Sequence, residues 1–143
     1  LADRRVIRVL MLCLILLWPG LAGADAIRVE SVVSVHDGDT FSADIAGWPA
    51  IVGRRIGVRV AGIDAPELHG ECPCEVALAK DARAFVTYML HNADTIELRN
   101  VRRDKYFRLL AEVWVDGESL GESLIDAGYA RPYAGGKKQG WCQ

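Results

Sequence analysis

Asp37, Asp39, Asp64 and Glu67 bring four carboxylates into two short runs, Asp37-Gly38-Asp39-Thr40 and Asp64-Ala65-Pro66-Glu67. Hard oxygen donors of this kind bind divalent cations, and a carboxylate left over is a candidate general base. Two arginines accompany them: Arg59 precedes Asp64 on the same run, and Arg108 closes Asp104-Lys105-Tyr106-Phe107-Arg108. A guanidinium donates paired hydrogen bonds in a plane, which suits phosphate oxygens. Oxygen ligands, a spare base and two phosphate-gripping cations are the parts for metal-assisted cleavage of a phosphodiester. Each run alone has a plainer reading: an Asp-Gly hairpin turn, a polar exit from a strand, a surface ion pair. The weight lies in the combination. A calcium-binding EF-hand does not fit, because the later ligands of its loop are absent after Asp39.

The elements that position these groups read mostly as strands. Ile27 to Val35 is rich in β-branched residues, and Thr40 to Ile45 can return beside it after the Asp-Gly turn. Ile51 to Ile63 alternates in its second half, with Ile56, Val58 and Val60 on one side and Arg59 on the other. Gly38 allows a tight turn. Pro66 fixes its own φ and biases Ala65 towards extended geometry, so Asp64 and Glu67 leave the strand end in set directions. From Glu75 to Asn92 the period changes to helical, with Leu78, Ala82, Phe85 and Met89 as the apolar stripe and Asn92 as the stop. Thr95 to Val101 and Tyr106 to Val115 are two further strands. A short helix over Leu120 to Ala127 ends at Gly128. Three strands, a helix, two strands and a helix predict an α+β fold, a small Greek-key barrel with helices packed on it. The tail from Tyr129 to Gln143 has no periodicity and reads as extended.

Composition sets the outer limits. The 143 residues, 51% hydrophobic and 25% charged, suit one globular domain and exclude a disordered chain. Arg4, Arg5 and Arg8 precede an apolar run, Val9 to Trp18, that Pro19 and Gly20 break before small residues. Residues 1–24 therefore read as a secretory signal peptide, with cleavage after Ala26 as the alternative. An uncleaved membrane anchor is the competing reading, although the apolar run is short for a bilayer. Localisation is accordingly secreted or periplasmic. Losing residues 1–24 removes Arg4, Arg5, Arg8 and Asp3 and takes the net charge from −2 to −4. No global positive field then attracts a nucleic acid, so local basic patches must do so. The candidates are Arg54, Arg55 and Arg59, then Arg99 to Arg108, then Arg131, Lys137 and Lys138.

The runs Val35-His36-Asp37-Gly38-Asp39-Thr40-Phe41, Arg59 to Glu67 and Asp104 to Arg108 resemble, in order and spacing, the three signature segments of the staphylococcal nuclease (thermonuclease) family. The resemblance covers Ile27 to Tyr133 and leaves residues 134–143 as a C-terminal tail. It implies an OB-type five-stranded Greek-key barrel with two packed helices, and a calcium-dependent nuclease acting on DNA and/or RNA. Asp39 and Asp64 would ligate Ca2+ through their carboxylates, and Ala65 through its main-chain carbonyl. Glu67 would be the general base, while Arg59 and Arg108 would hold the phosphate. Lys105 and Tyr106 match positions that contact a neighbouring phosphate, and Tyr133 is a candidate stacking residue. Cleavage would break the 5′ P–O bond and leave a 3′-phosphate. Family members often carry Thr at position 65 and Gly at 107, so Phe107 is strained if that position needs positive φ. The same barrels also occur as inactive nucleic-acid or protein-binding modules, but the five groups such modules tend to lose are all present here. A monomer with no stable protein partner is expected, free of the membrane after signal cleavage.

Cysteines and histidines complete the reading. An exported chain favours oxidised cysteines over a zinc cluster of His69, Cys72 and Cys74, whose spacing is atypical. Neutral imidazole is a poor calcium ligand, so His36 reads as a polar flank. With Cys13 in the leader, Cys72, Cys74 and Cys142 remain and allow at most one internal bridge. The run Cys72-x-x-Glu75-x-x-Leu78-Ala79 resembles exported relatives that end in Trp-Cys, which implies a Cys72–Cys142 disulfide. Cys74–Cys142 is the alternative.

Overall fold

The computed structural model describes residues 25–142. The leader and membrane-anchor readings lie outside those residues. Among the described residues, no helix is long and apolar enough to cross a membrane.

Strand β1 (Ile27–Val35) turns at Asp37 to Asp39 into β2 (Thr40–Ile45), and the two pair antiparallel. The turn closes where the His36 amide donates to the Thr40 carbonyl at 2.9 Å. A single helical turn, α1 (Ala50–Gly53), leads into β3 (Ile56–Val60), which pairs antiparallel with β2 and sets Arg59 opposite Thr40. After the two-residue strand β4 (Ile63–Asp64), the long helix α2 (Pro73–His91) crosses the molecule to β5 (Ile96–Arg103). Strand β6 (Leu109–Val115) pairs antiparallel with β5, which also pairs with β1. A parallel pairing of β3 with β6, Val58 opposite Leu109 and Val60 opposite Ala111, closes five strands into the expected OB-type barrel. The short β7 (Glu118–Ser119) edges β6 and runs into α3 (Leu120–Asp126), where the Ser119 hydroxyl accepts from the Glu122 amide. Finally β8 (Arg131–Pro132) pairs with β4, setting Arg131 opposite Asp64.

Strand alternation fills the barrel. Phe41, Ile45, Val58, Leu98, Leu109 and Val113 point inward and are almost fully buried. Leu120 and Leu124 of α3 join the same core, as do Val86 and Leu90 of α2.

Three expectations need correcting. The strand expected from Ile51 begins only at Ile56, because Pro49 starts a helical turn and Arg55, at φ 50°, redirects the chain afterwards. Ile51 is left exposed on this added helical turn. The strand expected from Tyr106 begins at Leu109, because the Asp104 carboxylate collects the amides of Tyr106 and Arg108 at 2.8 and 3.0 Å and holds a tight turn. On α2 the buried line is Ala79, Ala82, Val86 and Leu90, with Phe85 and Met89 at its margin, so the core face is turned slightly from the predicted stripe.

Candidate active site

The β1–β2 turn, the end of β3 and the β4 exit meet at one rim of the barrel. There Asp39 is buried, and its carboxylate is met by donors from Thr40, Arg59 and Ala65. Its Oδ1 accepts the Thr40 hydroxyl at 2.9 Å, while Oδ2 accepts the Ala65 amide at 3.0 Å and pairs with Arg59 Nη1 at 3.0 Å. Burial pushes the Asp39 carboxyl up to about 6; Arg59 pulls it down and the neighbouring Asp37 adds to the rise. Arg59, on β3, also donates to the carbonyls of Val60 and Ile63 at 3.1 and 3.0 Å, so the guanidinium is fixed in direction. Gly38 permits this assembly through close approach: a Cβ there would stand 2.9 Å from the Cβ atoms of Ala65 and of Ala82 on α2.

The β5–β6 turn supplies the opposite wall. Arg108 Nε donates to Asp104 Oδ2 at 2.7 Å and Nη1 reaches the Thr40 hydroxyl at 3.5 Å, which leaves Nη2 unengaged among the described residues. Burial would raise the Asp104 carboxyl, but hydrogen bonds from Arg108 and from the Tyr106 and Arg108 amides hold it below its ordinary value. Lys105 Nζ and the Arg108 guanidinium lie 4.9 and 5.2 Å from the Tyr106 ring centroid. Phe107 does adopt positive φ, 66°, and the residue is 80% exposed.

Between the walls lies a cleft of about 710 Å³ whose lining includes Asp39, Arg59, Glu67, Lys105, Tyr106, Arg108 and Tyr133. Asp64 and Ala65 line the adjoining hollow together with Glu67. Asp39, Arg59, Asp64, Ala65, Glu67, Lys105, Tyr106, Arg108 and Tyr133 thus line this cleft or the hollow that adjoins it. A family model described as staphylococcal nuclease homologue matches residues 57–140, more than half of the chain. The chain belongs to the staphylococcal nuclease family. A thermonuclease from Staphylococcus hyicus is 31% identical over 113 residues, covering 78% of this chain and 63% of that protein. Endonuclease YncB from Bacillus subtilis (strain 168) is 35% identical over 98 residues, covering 66% of this chain and 43% of that one. A probable endonuclease from Pyrenophora tritici-repentis is 30% identical over 124 residues, 71% of this chain and 45% of its own. The chain spans about half the length of these relatives.

On this staphylococcal nuclease scaffold, the tail folds back over the site. The Tyr133 amide donates to the Gly62 carbonyl at 2.8 Å and its hydroxyl to the Gly136 carbonyl at 2.7 Å. Lys138 Nζ then pairs with Asp64 Oδ1 at 2.6 Å and Glu67 Oε1 at 3.2 Å. Partial burial would lower the Lys138 ammonium, but Asp64 and Glu67 hold it above its ordinary value. Trp141 Nε1 donates to Asp64 Oδ2 at 3.3 Å. The disulfide joins Cys72 to Cys142, leaving Cys74 free and exposed. With Cys72 in the bridge, the zinc reading loses a ligand. His36 pairs with the Ser42 hydroxyl at 2.8 Å, as a polar flank.

Three contributors were missed by sequence reasoning. Lys138 stood only in a basic cluster, and Trp141 carried no role beyond the Trp-Cys ending. The Cys72–Cys142 pairing was a usable signal for both, since it returns the tail to the Glu67 loop. Glu75 is buried on the first turn of α2 and accepts the amides of Glu67 and Glu71 at 3.2 and 3.1 Å. A carboxylate in a helix's first turn is common, so it gave no warning.

Proposed function

We propose that this protein is an exported, calcium-dependent nuclease that hydrolyses phosphodiester bonds of DNA and/or RNA as a monomer. The observation that carries the reading is the single cleft in which Arg59, Arg108 and Glu67 converge beside the buried carboxylates of Asp39 and Asp64. The names of the relatives, thermonuclease and endonuclease, point the same way. A disulfide supports an oxidising compartment.

The donor set fits a hard divalent cation. Asp39 and Asp64 are buried acids with no apolar reason to be there, and the ammonium of Lys138 already stands as a cation against Asp64 and Glu67. Asp39, Asp64 and the Ala65 carbonyl would hold calcium, which when bound would offset charge on the phosphate. The chain's own groups account for the rest. Arg59 is oriented by Asp39 and two carbonyls, and Arg108 by Asp104, so both guanidiniums are set before substrate arrives. Glu67, half exposed beside the cleft, takes a proton from the attacking water. As the new P–O bond forms, the bond to the 5′ oxygen breaks, that oxygen takes a proton from solvent to become a hydroxyl, and the 3′-phosphate remains. Lys105 and Tyr106 engage the next phosphate, and Tyr133 offers a ring to a base.

The purified protein should cut DNA, RNA or both with calcium, and should stop in excess chelator. Glu67→Gln, Arg59→Ala and Arg108→Ala should each lower kcat by roughly two to four orders of magnitude with the fold intact by circular dichroism. Undiminished cutting by the Glu67 and Arg108 variants would overturn the roles given to these residues, and binding without cutting by the calcium-loaded wild type would replace this reading with a binding module.

A further inference from the structure

The path of the tail is built from several independent contacts. Strand β8 lies beside β4, and Gly135 and Gly136, at φ 100° and 86°, then reverse the chain. Arg131 stacks over the Trp141 ring at 3.7 Å and donates to the Gly140 carbonyl at 2.9 Å. Cys142 is bonded to Cys72, just beyond the Glu67 loop. The result is that both oxygens of Asp64 face tail groups: Oδ2 takes the Trp141 indole and Oδ1 takes the Lys138 ammonium, which also bridges to Glu67.

Resting on the calcium reading above, we propose that Lys138 is a built-in competitor for the metal, held in place by the disulfide-tethered tail. Its ammonium neutralises Asp64 and Glu67 in the metal-free protein and leaves Asp64 when calcium binds. A calcium ligand oxygen stands about 2.3–2.6 Å from the ion, and the ammonium holds Oδ1 at 2.6 Å. Two cations cannot share that oxygen without strong mutual repulsion. The lysine stem is long and flexible enough to swing away without moving the backbone. The tether keeps the ammonium at high effective concentration over the site, so the calcium level at which the protein loads is set by the tail.

Calcium binding to the oxidised full chain, measured by titration calorimetry without nucleic acid, tests this. Lys138→Gln should bind calcium about tenfold more tightly than wild type, and Lys138→Arg should stay within about threefold of it. Cys142→Ser, which frees the tail, should shift affinity in the same direction as Lys138→Gln. Equal calcium affinity in wild type and Lys138→Gln overturns the proposal, as does an unchanged affinity in Cys142→Ser. If no form binds calcium, the metal reading itself falls; if all bind it equally, the competitor role alone falls.

Discussion

Asp39 carries the sharpest energetic conflict at the residue scale. It is buried, and burial outweighs the pull of Arg59, so its folded pKa of about 6 lies above the usual 3.8. The folded state therefore holds this proton more tightly than the unfolded chain. Its stabilising contribution is full below the unfolded value and is lost as pH rises through about 6. Asp104 acts in the opposite sense: its lowered value gives stability above the unfolded pKa that is lost as pH falls through the folded one. In chelator, Asp39→Asn should therefore exceed wild type by about 2–3 kcal/mol at pH 8, and the two should converge near pH 4. Urea denaturation across that range checks it; a constant offset at every pH would show that the gain is not electrostatic. The residue types at this site were legible in the sequence only through their combination, since each run alone also reads as a turn, a strand exit or a surface ion pair. The backbone at Phe107 was legible only as a condition. Its φ of 66° costs a non-glycine residue about 1–2 kcal/mol, and no contact in the sequence announces it.

Elements were legible where one period dominates and obscure where a side chain overrides the backbone's preference. The β1–β2 hairpin and the centre of α2 follow from alternation and helical spacing. The late start of β6 does not, because it depends on Asp104 capturing two amides across its own turn. The same kind of override ties α2 to the Glu67 loop. Glu75 on the first helical turn accepts the amides of both Glu67 and Glu71, which fixes the loop carrying the proposed base. Glu75→Ala leaves both part-buried amides without that acceptor, at about 1–3 kcal/mol each. The variant should lose roughly 2–4 kcal/mol in denaturant, and the Glu67 and Glu71 amides should exchange faster than the barrel amides. Glu75→Gln keeps one carbonyl oxygen and should recover part of the loss. Wild-type exchange at both amides in Glu75→Ala would show that the loop is held by something else.

On the scale of the whole molecule, the barrel closes locally through β3 and β6, whereas the tail is fastened across the chain by one covalent bond. Cys72 and Cys142 are separated by 70 residues. A loop of that length removes unfolded-state entropy worth roughly 4 kcal/mol, an upper figure because the unfolded chain is already compact. The sequence limited the possible bridges to one but did not choose its partner from the residues themselves. That choice came from resemblance, and the structure agrees with it through the placement of the Glu67 loop under the tail. Reduction should therefore act on the domain far more than the tail's small polar contacts alone imply. The melting temperature should fall by on the order of 10 °C in excess thiol, while the far-ultraviolet dichroism below the transition keeps its oxidised form, since every barrel pairing lies outside the tail. Alkylation before reduction should mark Cys74 alone among Cys72, Cys74 and Cys142. A melting temperature within about 2 °C of the oxidised protein would mean that the unfolded chain gains no freedom from the break, and that barrel closure alone sets the stability.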